Sequence, residues 1–319
     1  IQGYSVQKLS SDPTASEAVG QLWYNSTEGS FKIATEGGGS WASGGAMNTG
    51  RNTAVTSGDH TGAITAGGTT GAPYLNTAAS ETYDGTSWTT VNSLNTARHK
   101  SGGNGTNTAC FVAGGTTSTG PGMMNNMEIW NGTCWSENNN LQATTYACTG
   151  FGTTAAGLLT GEGLGPYSGA TEKWDGTSWT EVNNLLTGTA DAQGNGSSTA
   201  AAITGGDGLS HEQYDGTSWT EKTNPANNRI SGAAAGTTTS LLTYGGYDSA
   251  YGPPTNTPNV EEWNGSAWSE KNNIASARTQ TAGNGSSTNA ILNGGNPGYV
   301  TTTEEWVSPV YTIKTVTVS

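Results

Sequence analysis

The chain has 319 residues, of which 32% are hydrophobic and 11% are charged, and it contains 49 glycines, 11 tryptophans and 12 tyrosines. This aromatic content argues against a disordered chain, and the abundance of Thr and aromatic residues favours an all-β fold. The net charge of −13 excludes nucleic-acid binding through basic patches and docking on anionic lipid, and no apolar run approaches the roughly 20 residues of a membrane span.

A short phrase with two aromatic residues occurs five times along the chain. It reads YDGTSWTT at 83–90 and returns as WNGTCWSE (130–137), WDGTSWTE (174–181), YDGTSWTE (214–221) and WNGSAWSE (263–270). The separations between equivalent tryptophans are 47, 44, 40 and 49 residues. A period of this size with strand-like content is typical of β-propeller blades. The equivalent tryptophans are Trp88, Trp135, Trp179, Trp219 and Trp268.

Each repeat has the same internal order. An apolar strand ends in Gly-Gly, as in ACFVAGG (109–115), and a loop of variable length follows. The next strand ends at the first aromatic residue, Asp-Gly or Asn-Gly reverses the chain, and the second aromatic begins the return strand. We therefore predict one hairpin per blade, with its aromatic side chains packed against the neighbouring blade.

The connection after each hairpin indicates how the ring closes. Arginine stands ten residues after three of the five tryptophans, at Arg98, Arg229 and Arg278, and Arg51 stands ten residues after Trp41. Trp41 is therefore predicted to lie on an outer strand that has no hairpin partner upstream. An N-terminal strand around Trp41 that pairs with the last blade would close a six-bladed propeller.

Two alternatives to this closure remain open. The C-terminal strand in 309–319 could supply the same outer edge, since Tyr311 stands five residues after Trp306. Seven blades, with residues 21–34 in the additional blade, is the second alternative. The predicted domains are residues 1–36, a propeller over residues 37–308 and a C-terminal strand over residues 309–319.

The repeated features resemble kelch repeats, which also occur in the central domain of galactose-oxidase-like proteins. The resemblance covers about residues 37–311 and includes the Gly-Gly doublet, the two aromatics and the arginine-bearing connection. The gap of five residues between the aromatics is shorter than in most kelch proteins. The resemblance implies the propeller fold and is nearly silent on chemistry.

A second resemblance concerns the N-terminal stretch AVGQLWYNSTEGSFK (18–32), which is similar to a phrase in structural proteins of tailed phages, especially marine phages. The resemblance implies a small hairpin near an attachment region. We therefore expect residues 1–36 to attach the protein to other virion proteins, as part of a homo-oligomeric assembly at the surface of the particle.

Candidate catalytic residues do not form a recognisable motif. A galactose-oxidase-like copper site would need two His and two Tyr, but His60, His99 and His211 fall in different parts of different repeats. No HExxH motif, His/Cys ligand spacing, nucleophile elbow or DxDxDG calcium loop occurs. We expect the three cysteines to be buried, inert thiols. The sequence thus predicts no enzyme activity, no cofactor and no metal site.

Two sets of charged residues recur with the repeat and are therefore interpreted as structural. Arg51, Arg98, Arg229 and Arg278 share one repeat position, so we expect each of them to stabilise its own blade. Carboxylates stand one or two residues before the first aromatic of the hairpin, which favours a structural ring over a catalytic pair. They are Glu81, Glu128, Glu172, Glu212, Glu262 and Glu305.

The variable loops are the best candidates for recognition. They range from 7 residues (207–213) to 16 residues (247–262), and repeat geometry places them on one face. Loops that vary on a rigid scaffold commonly carry binding sites, and Tyr rings beside Asn and Asp can stack on sugars. The predicted ligand-binding residues are Tyr74, Tyr167, Tyr247, Tyr251 and Tyr299.

These observations lead to one main functional hypothesis and two alternatives. The main hypothesis is a non-enzymatic virion structural or adhesion protein whose loops contact host-surface glycans or neighbouring virion proteins. One alternative is a secreted carbohydrate-active or galactose-oxidase-like enzyme. The other is a purely architectural decoration protein of a capsid or tail.

Overall fold

The computed structural model describes residues 6–73, 75–117, 122–162, 167–208, 210–248, 255–308 and 310–317. It divides into two compact units. One unit combines Ile1–Ser40 with Val307–Ser319, and the other is Trp41–Trp306.

The larger unit is a β-propeller, which confirms the predicted all-β propeller fold. Over the described residues it contains six four-stranded sheets. From the innermost strand outward, sheet 1 is Val55–Asp59, Gly62–Ala66, Ser80–Tyr83 and Trp88–Val91. Sheet 2 is Gly102–Gly105, Cys110–Ala113, Met127–Trp130 and Trp135–Asn138. Sheet 3 is Thr149–Gly152, Gly157–Glu162, Ser168–Trp174 and Trp179–Glu181. Sheet 4 is Gln193–Ser197, Ala200–Gly205, Ser210–Tyr214 and Trp219–Lys222. Sheet 5 is Ala233–Thr237, Ser240–Tyr244, Val260–Trp263 and Trp268–Lys271. Sheet 6 is Ala282–Gly285, Asn289–Asn293, Thr303–Val307 and Ser40–Ser43.

The innermost strands of the six sheets contact one another in cyclic order, from sheet 1 to sheet 6 and back to sheet 1. Glycine permits this close approach. A Cβ atom on Gly150 of sheet 3 would lie only 2.4 Å from the backbone nitrogen of Gly103 in sheet 2. A side chain at Gly150 would therefore push these two innermost strands apart and widen the centre of the ring.

The N-terminal strand around Trp41 completes sheet 6, as predicted. Ser40–Ser43 lies beside Thr303–Val307, and the Trp41 and Trp306 rings are 5.5 Å apart. The same spacing separates Trp130 and Trp135 within a continuous hairpin. Two distant parts of the chain thus reproduce the aromatic pair of the other sheets.

The smaller unit contains a four-stranded sheet in the order Gln7–Leu9, Leu22–Asn25, Ser30–Gly37 and Val310–Thr315. Its core is Ala18, Trp23 and Ala34, with Leu9 and Ile313 packed against it. The C-terminal strand therefore pairs with Ser30–Gly37 and is not the outermost strand of sheet 6. Residues 22–37, most of which the seven-blade alternative assigned to an additional blade, also lie in this sheet.

The repeated phrase forms the outer hairpin of a sheet. In sheet 1, Tyr83 and Trp88 are register partners with ring centroids 5.0 Å apart. The Asp84 carboxylate accepts hydrogen bonds from the backbone amides of Thr86 and Ser87, which fixes the turn. The Trp88 indole donates to Thr303 Oγ1 of sheet 6, and the Trp135 indole donates to Ser80 Oγ of sheet 1. The second aromatic thus packs against the preceding sheet.

The four repeat arginines form buried ion pairs that clamp neighbouring sheets. In sheet 2, the Arg98 guanidinium donates to Glu128 at 2.8 Å and to the carbonyl of Gly114 at 3.1 Å. The backbone carbonyl of Arg98 accepts from Gly68 of sheet 1. Matching pairs join Arg51 to Glu81, Arg229 to Glu261 and Arg278 to Glu304.

This pairing corrects two of the predicted carboxylates. The arginines of the last two sheets pair with Glu261 and Glu304 rather than with the adjacent Glu262 and Glu305. The physical reason is strand alternation, since only side chains two residues before the first aromatic point to the arginine's side of the sheet. The exposed Cys134 is a second correction, because it lies in the hairpin turn while Cys110 and Cys148 are buried.

The variable loops and the arginine-bearing connections lie on one face of the propeller, because both start where a strand reaches the same end of its sheet. The Asp-Gly hairpins lie on the opposite face. An additional three-stranded sheet, Arg229–Ile230, Tyr247–Asp248 and Thr255–Asn256, supports the longest loop.

Candidate functional site at the centre of the loop face

Six residues that stand at one repeat position surround the centre of the loop face, and we call them the mouth ring. Each backbone amide donates to the carbonyl of the preceding member, at 2.7–3.1 Å, and the sixth bond closes the cycle. Each residue has a φ between 52° and 55°, a left-handed conformation that is unfavourable for residues with a Cβ atom. The closed set of hydrogen bonds holds them there. The members are Thr53, Lys100, Ala147, Asp191, Ser231 and Gln280.

A cavity of about 130 Å³ begins at the mouth ring and is lined by one segment of chain from each repeat, 53–56, 100–104, 147–150, 191–194, 231–234 and 280–284. At a share of about 30 Å³ per water, it has room for about four waters or one end of a small ligand. Two of its lining residues, Gln193 and Thr281, each have one buried side-chain oxygen, Oε1 and Oγ1, without a hydrogen-bond partner in the described part of the protein.

Three asparagines cross the channel four residues further along the innermost strands, and we call them the asparagine triangle. Asn104 Nδ2 donates to Asn195 Oδ1 at 3.1 Å, Asn195 Nδ2 donates to Asn284 Oδ1 at 2.9 Å, and Asn284 Nδ2 donates to Asn104 Oδ1 at 3.1 Å. Each Oδ1 also accepts the amide of the following glycine. The three asparagines lie on sheets 2, 4 and 6, so three side chains from alternate sheets form a closed hydrogen-bonded ring.

Charged and aromatic side chains gather at the mouth ring. Lys100 Nζ lies 2.6 Å from Asp191 Oδ2, and about a fifth of each side chain is exposed. The charge of Asp207 is the first cause that raises the pKa of the Tyr167 phenol. Burial, followed by the charges of Asp207 and Asp191, raises the pKa of Tyr247. We call Lys100, Tyr167, Asp191, Asp207 and Tyr247 the mouth cluster.

The structure describes three of the five predicted ligand-binding tyrosines. Tyr167 is 48% exposed and Tyr247 is partly buried, and both interact with Asp207. Tyr299 lies in the loop of sheet 6, where its carbonyl faces Gly50, and none of the charge interactions of the mouth cluster involves it. Tyr74 and Tyr251 lie outside the described residues.

Sequence reasoning missed Lys100 and Asp191 as site residues. Both stand two residues after the arginine position of their repeats, so an alignment on Arg51 and Arg98 could have grouped all six members of the mouth ring. Nothing in the residue types of that group, which range from Ala to Lys, reveals the left-handed backbone or the convergence on one axis.

The histidines are packed in different surroundings. His60 hydrogen-bonds to Asn289 Oδ1 at 3.2 Å. His211 lies between Trp263 and Trp268, at 4.9 and 5.2 Å, and burial lowers its pKa to about 4. Burial also lowers the pKa of His99 to about 4, so both buried rings are neutral at physiological pH. Among the described residues, no group of three or more His, Cys, Asp or Glu side chains could hold a metal ion.

Comparisons with known proteins establish the fold alone. No protein-family model and no curated protein sequence matches the chain. Among 330 similar chains of solved structures is the one described as "Structure of YjhT", with a TM-score of 0.66 and 12% sequence identity over 84% of this chain and 99% of that chain. Over the described residues, no helix has the length and apolarity to cross a membrane.

Proposed function

We propose that the chain is a non-enzymatic adhesion protein of a phage particle and that its propeller binds host-surface glycans at the mouth cluster. The observation that carries the glycan proposal is the cavity on the variable-loop face, which Lys100 and Asp191 line, together with Tyr167 and Tyr247, whose pKa values the charge of Asp207 raises. Sugars present apolar CH faces that stack on aromatic rings and hydroxyl groups that donate to carboxylates.

The scaffold supports recognition because it is rigid where the site is built. The mouth ring and the asparagine triangle are closed by hydrogen bonds, so the cavity has a defined shape before a ligand arrives. The exposed fraction of Tyr167 leaves one ring available for stacking. Little conformational entropy would be lost on binding, which favours affinity from a small contact area.

The virion part of the proposal rests on the N-terminal resemblance at residues 18–32. Residues 1–36 would attach the protein to other virion proteins in a homo-oligomeric assembly. The proposal of a non-enzymatic role is supported by the packed, neutral state of His99 and His211, neither of which is available for proton transfer near pH 7.

Replacing Tyr167 with alanine is expected to weaken glycan binding by about tenfold, because it removes an exposed aromatic ring of the proposed site. The measurement is binding of the full chain to a glycan array, followed by calorimetry with the strongest ligand. Tyr311→Ala is the matched control, since Tyr311 is a 38% exposed tyrosine of the smaller unit. Equal effects of the two variants, or no binding by the wild type, would contradict the proposal.

Location is tested by immunogold labelling of intact particles with antibody against residues 37–308. We expect label at tail tips or fibre ends. Label spread over the capsid would favour the architectural alternative. Particles without label would overturn the virion proposal and favour the secreted alternative.

A further inference from the structure

The asparagine triangle closes the inner end of the central cavity. Asn104 and Asn284 line the cavity and belong to the triangle, whose side chains are joined at 2.9–3.1 Å. Each Nδ2 of the triangle also donates a second hydrogen bond, to the carbonyl of Gly150, Gly285 or Thr56. Both hydrogens of each Nδ2 are thus used, and displacing one side chain would leave buried polar groups without partners. The triangle therefore forms a fixed floor, and a ligand in the cavity must extend outwards through the mouth ring.

The ion pair between Lys100 and Asp191 supplies charged hydrogen-bonding groups at the entrance. Both residues line the cavity, Lys100 Nζ lies 2.6 Å from Asp191 Oδ2, and about a fifth of each side chain is exposed. They stand two positions apart in the mouth ring, so the pair spans the position of Ala147, whose side chain is only a methyl group. Two neighbouring hydroxyl groups match this arrangement, because one can accept from the ammonium while the other donates to the carboxylate and the ion pair stays intact.

The size and the wall of the cavity suit a single sugar unit. Its volume of about 130 Å³, roughly that of four waters, leaves no room for a chain of several units. The innermost strands form the wall, and the small side chains of Ala54, Ala192 and Ala233 are among its lining groups. A partly apolar wall with a few polar groups at one end fixes the orientation of a small ligand.

From these observations we propose that the cavity recognises the terminal unit of a glycan chain, with Lys100 and Asp191 holding two neighbouring hydroxyl groups of that unit. The inference rests on the proposed glycan-binding function. A terminal unit has one neighbour in its chain, and that neighbour can lie outside the mouth ring. An internal unit has chain on both sides, whereas a cavity closed by the triangle lets the chain leave in one direction. Internal units are therefore rejected by steric exclusion.

The test uses length series of linear oligosaccharides, from disaccharide to hexasaccharide, measured by calorimetry with the full chain. The series are of β1,4-linked N-acetylglucosamine, α1,4-linked glucose and α1,2-linked mannose. In a series that binds, we expect the Kd to stay within about twofold from disaccharide to hexasaccharide, because the units beyond the terminal one lie outside the cavity. A gain in affinity of about tenfold or more with length would show that several units are bound. That result would overturn the inference and leave glycan binding intact.

A double variant tests whether the ion pair holds the terminal unit. Lys100→Met with Asp191→Asn keeps the net charge of the chain and should weaken binding by about tenfold at every length, because two charge-assisted hydrogen bonds are lost. The matched control is Lys271→Met with Glu262→Gln, which removes an ion pair of 2.9 Å and similar exposure from the two outer strands of sheet 5. The control should bind like the wild type.

The remaining outcomes separate the inference from the function on which it rests. Equal affinities of the two double variants would overturn the assignment of the cavity as the site, even if binding does not depend on length. Failure of every series to bind at millimolar concentration would overturn the proposed glycan function itself, and the inference with it.

Discussion

Replacing Glu128 with glutamine is expected to lower the free energy of unfolding by about 3–5 kcal/mol, because Arg98 would remain charged and buried without its carboxylate. Arg98 is 1% exposed and Glu128 is completely buried. Burial lowers the pKa of the Arg98 guanidinium, and Glu128 is the main group that opposes this effect. Glu128 also accepts hydrogen bonds from the amides of Asn95 and Thr96, so it holds the connection as well as the arginine.

The chain supplies its own control at the equivalent position of sheet 3. Glu172 accepts hydrogen bonds from the amides of Gln142 and Ala143, but Thr145 stands where four of the six repeats have arginine. Thr145 Oγ1 donates to the Gly161 carbonyl and so replaces only one contact of the arginine. No buried cation would be left unpaired, so Glu172→Gln is expected to change the free energy of unfolding by no more than about 1 kcal/mol.

The pH dependence of this control has a definite sign. Burial raises the pKa of Glu172 above its ordinary value of 4.5, so the ionised carboxylate opposes folding at neutral pH. As the pH falls through the raised pKa towards 4.5, folded wild-type protein takes up a proton before the unfolded chain does, and its stability rises. The stability of Glu172→Gln relative to the wild type should therefore be highest at neutral pH and should fall as the pH is lowered.

Both variants can be compared by urea unfolding monitored through tryptophan fluorescence, with calorimetry as a test of two-state behaviour. The decisive quantity is the difference between the two losses of stability at neutral pH. Similar losses for Glu128→Gln and Glu172→Gln would show that the carboxylate's bonds to the connection, rather than the ion pair, stabilise the repeat.

The fold could be predicted from the sequence because every repeat carries the same short sequence features. The Asp-Gly or Asn-Gly turn between two aromatics identifies one hairpin, and the fixed distance from Trp41 to Arg51 identifies an outer strand without an upstream partner. These relations are short in sequence and are enforced by strand pairing and turn geometry. They can therefore be recognised without knowledge of the three-dimensional arrangement.

The site could be predicted only in part because it depends on contacts between distant repeats. Lys100 and Asp191 are 91 residues apart, and successive members of the asparagine triangle are 91 and 89 residues apart. Their proximity follows from closure of the ring, which no local pattern contains. Tyr167 and Tyr247 were predicted as site residues because loop aromatics stand out in composition, whereas Lys100 and Asp191 look like ordinary connection residues.

The asparagine triangle closes the central channel of the propeller although only alternate repeats contribute an asparagine to it. The equivalent positions of the other three sheets hold Ser57, Phe151 and Ala235, which do not reach into the triangle. Phe151 and Ala235 instead belong to the apolar clusters between sheets. At this one strand position, Phe151 and Ala235 thus pack between sheets, whereas the three asparagines close the channel with polar side chains.

Replacing Asn195 with alanine is expected to lower the free energy of unfolding by about 2–4 kcal/mol, because one buried side chain takes part in four hydrogen bonds. It donates to Asn284 Oδ1 and to the Gly285 carbonyl, and it accepts from Asn104 Nδ2 and from the Gly196 amide. Water entering from the polar cavity would replace some of these bonds, which keeps the expected loss below the sum of four separate deletions.

Asn195→Asp distinguishes the hydrogen-bonded ring from simple space filling, because it preserves volume and both accepted bonds. At neutral pH its carboxylate would face two other acceptors, Asn284 Oδ1 and the Gly285 carbonyl, without a donor between them. Burial and these acceptors raise the pKa of the introduced carboxyl, so the stability that its protonated form provides is present in acid and lost as the pH rises. We therefore expect Asn195→Asp to be less stable than Asn195→Ala at pH 7 and to recover towards pH 4, as measured by unfolding at both pH values. If the two variants respond alike to pH, the triangle contributes through packing, and the directional ring of amides has no measurable role in stability.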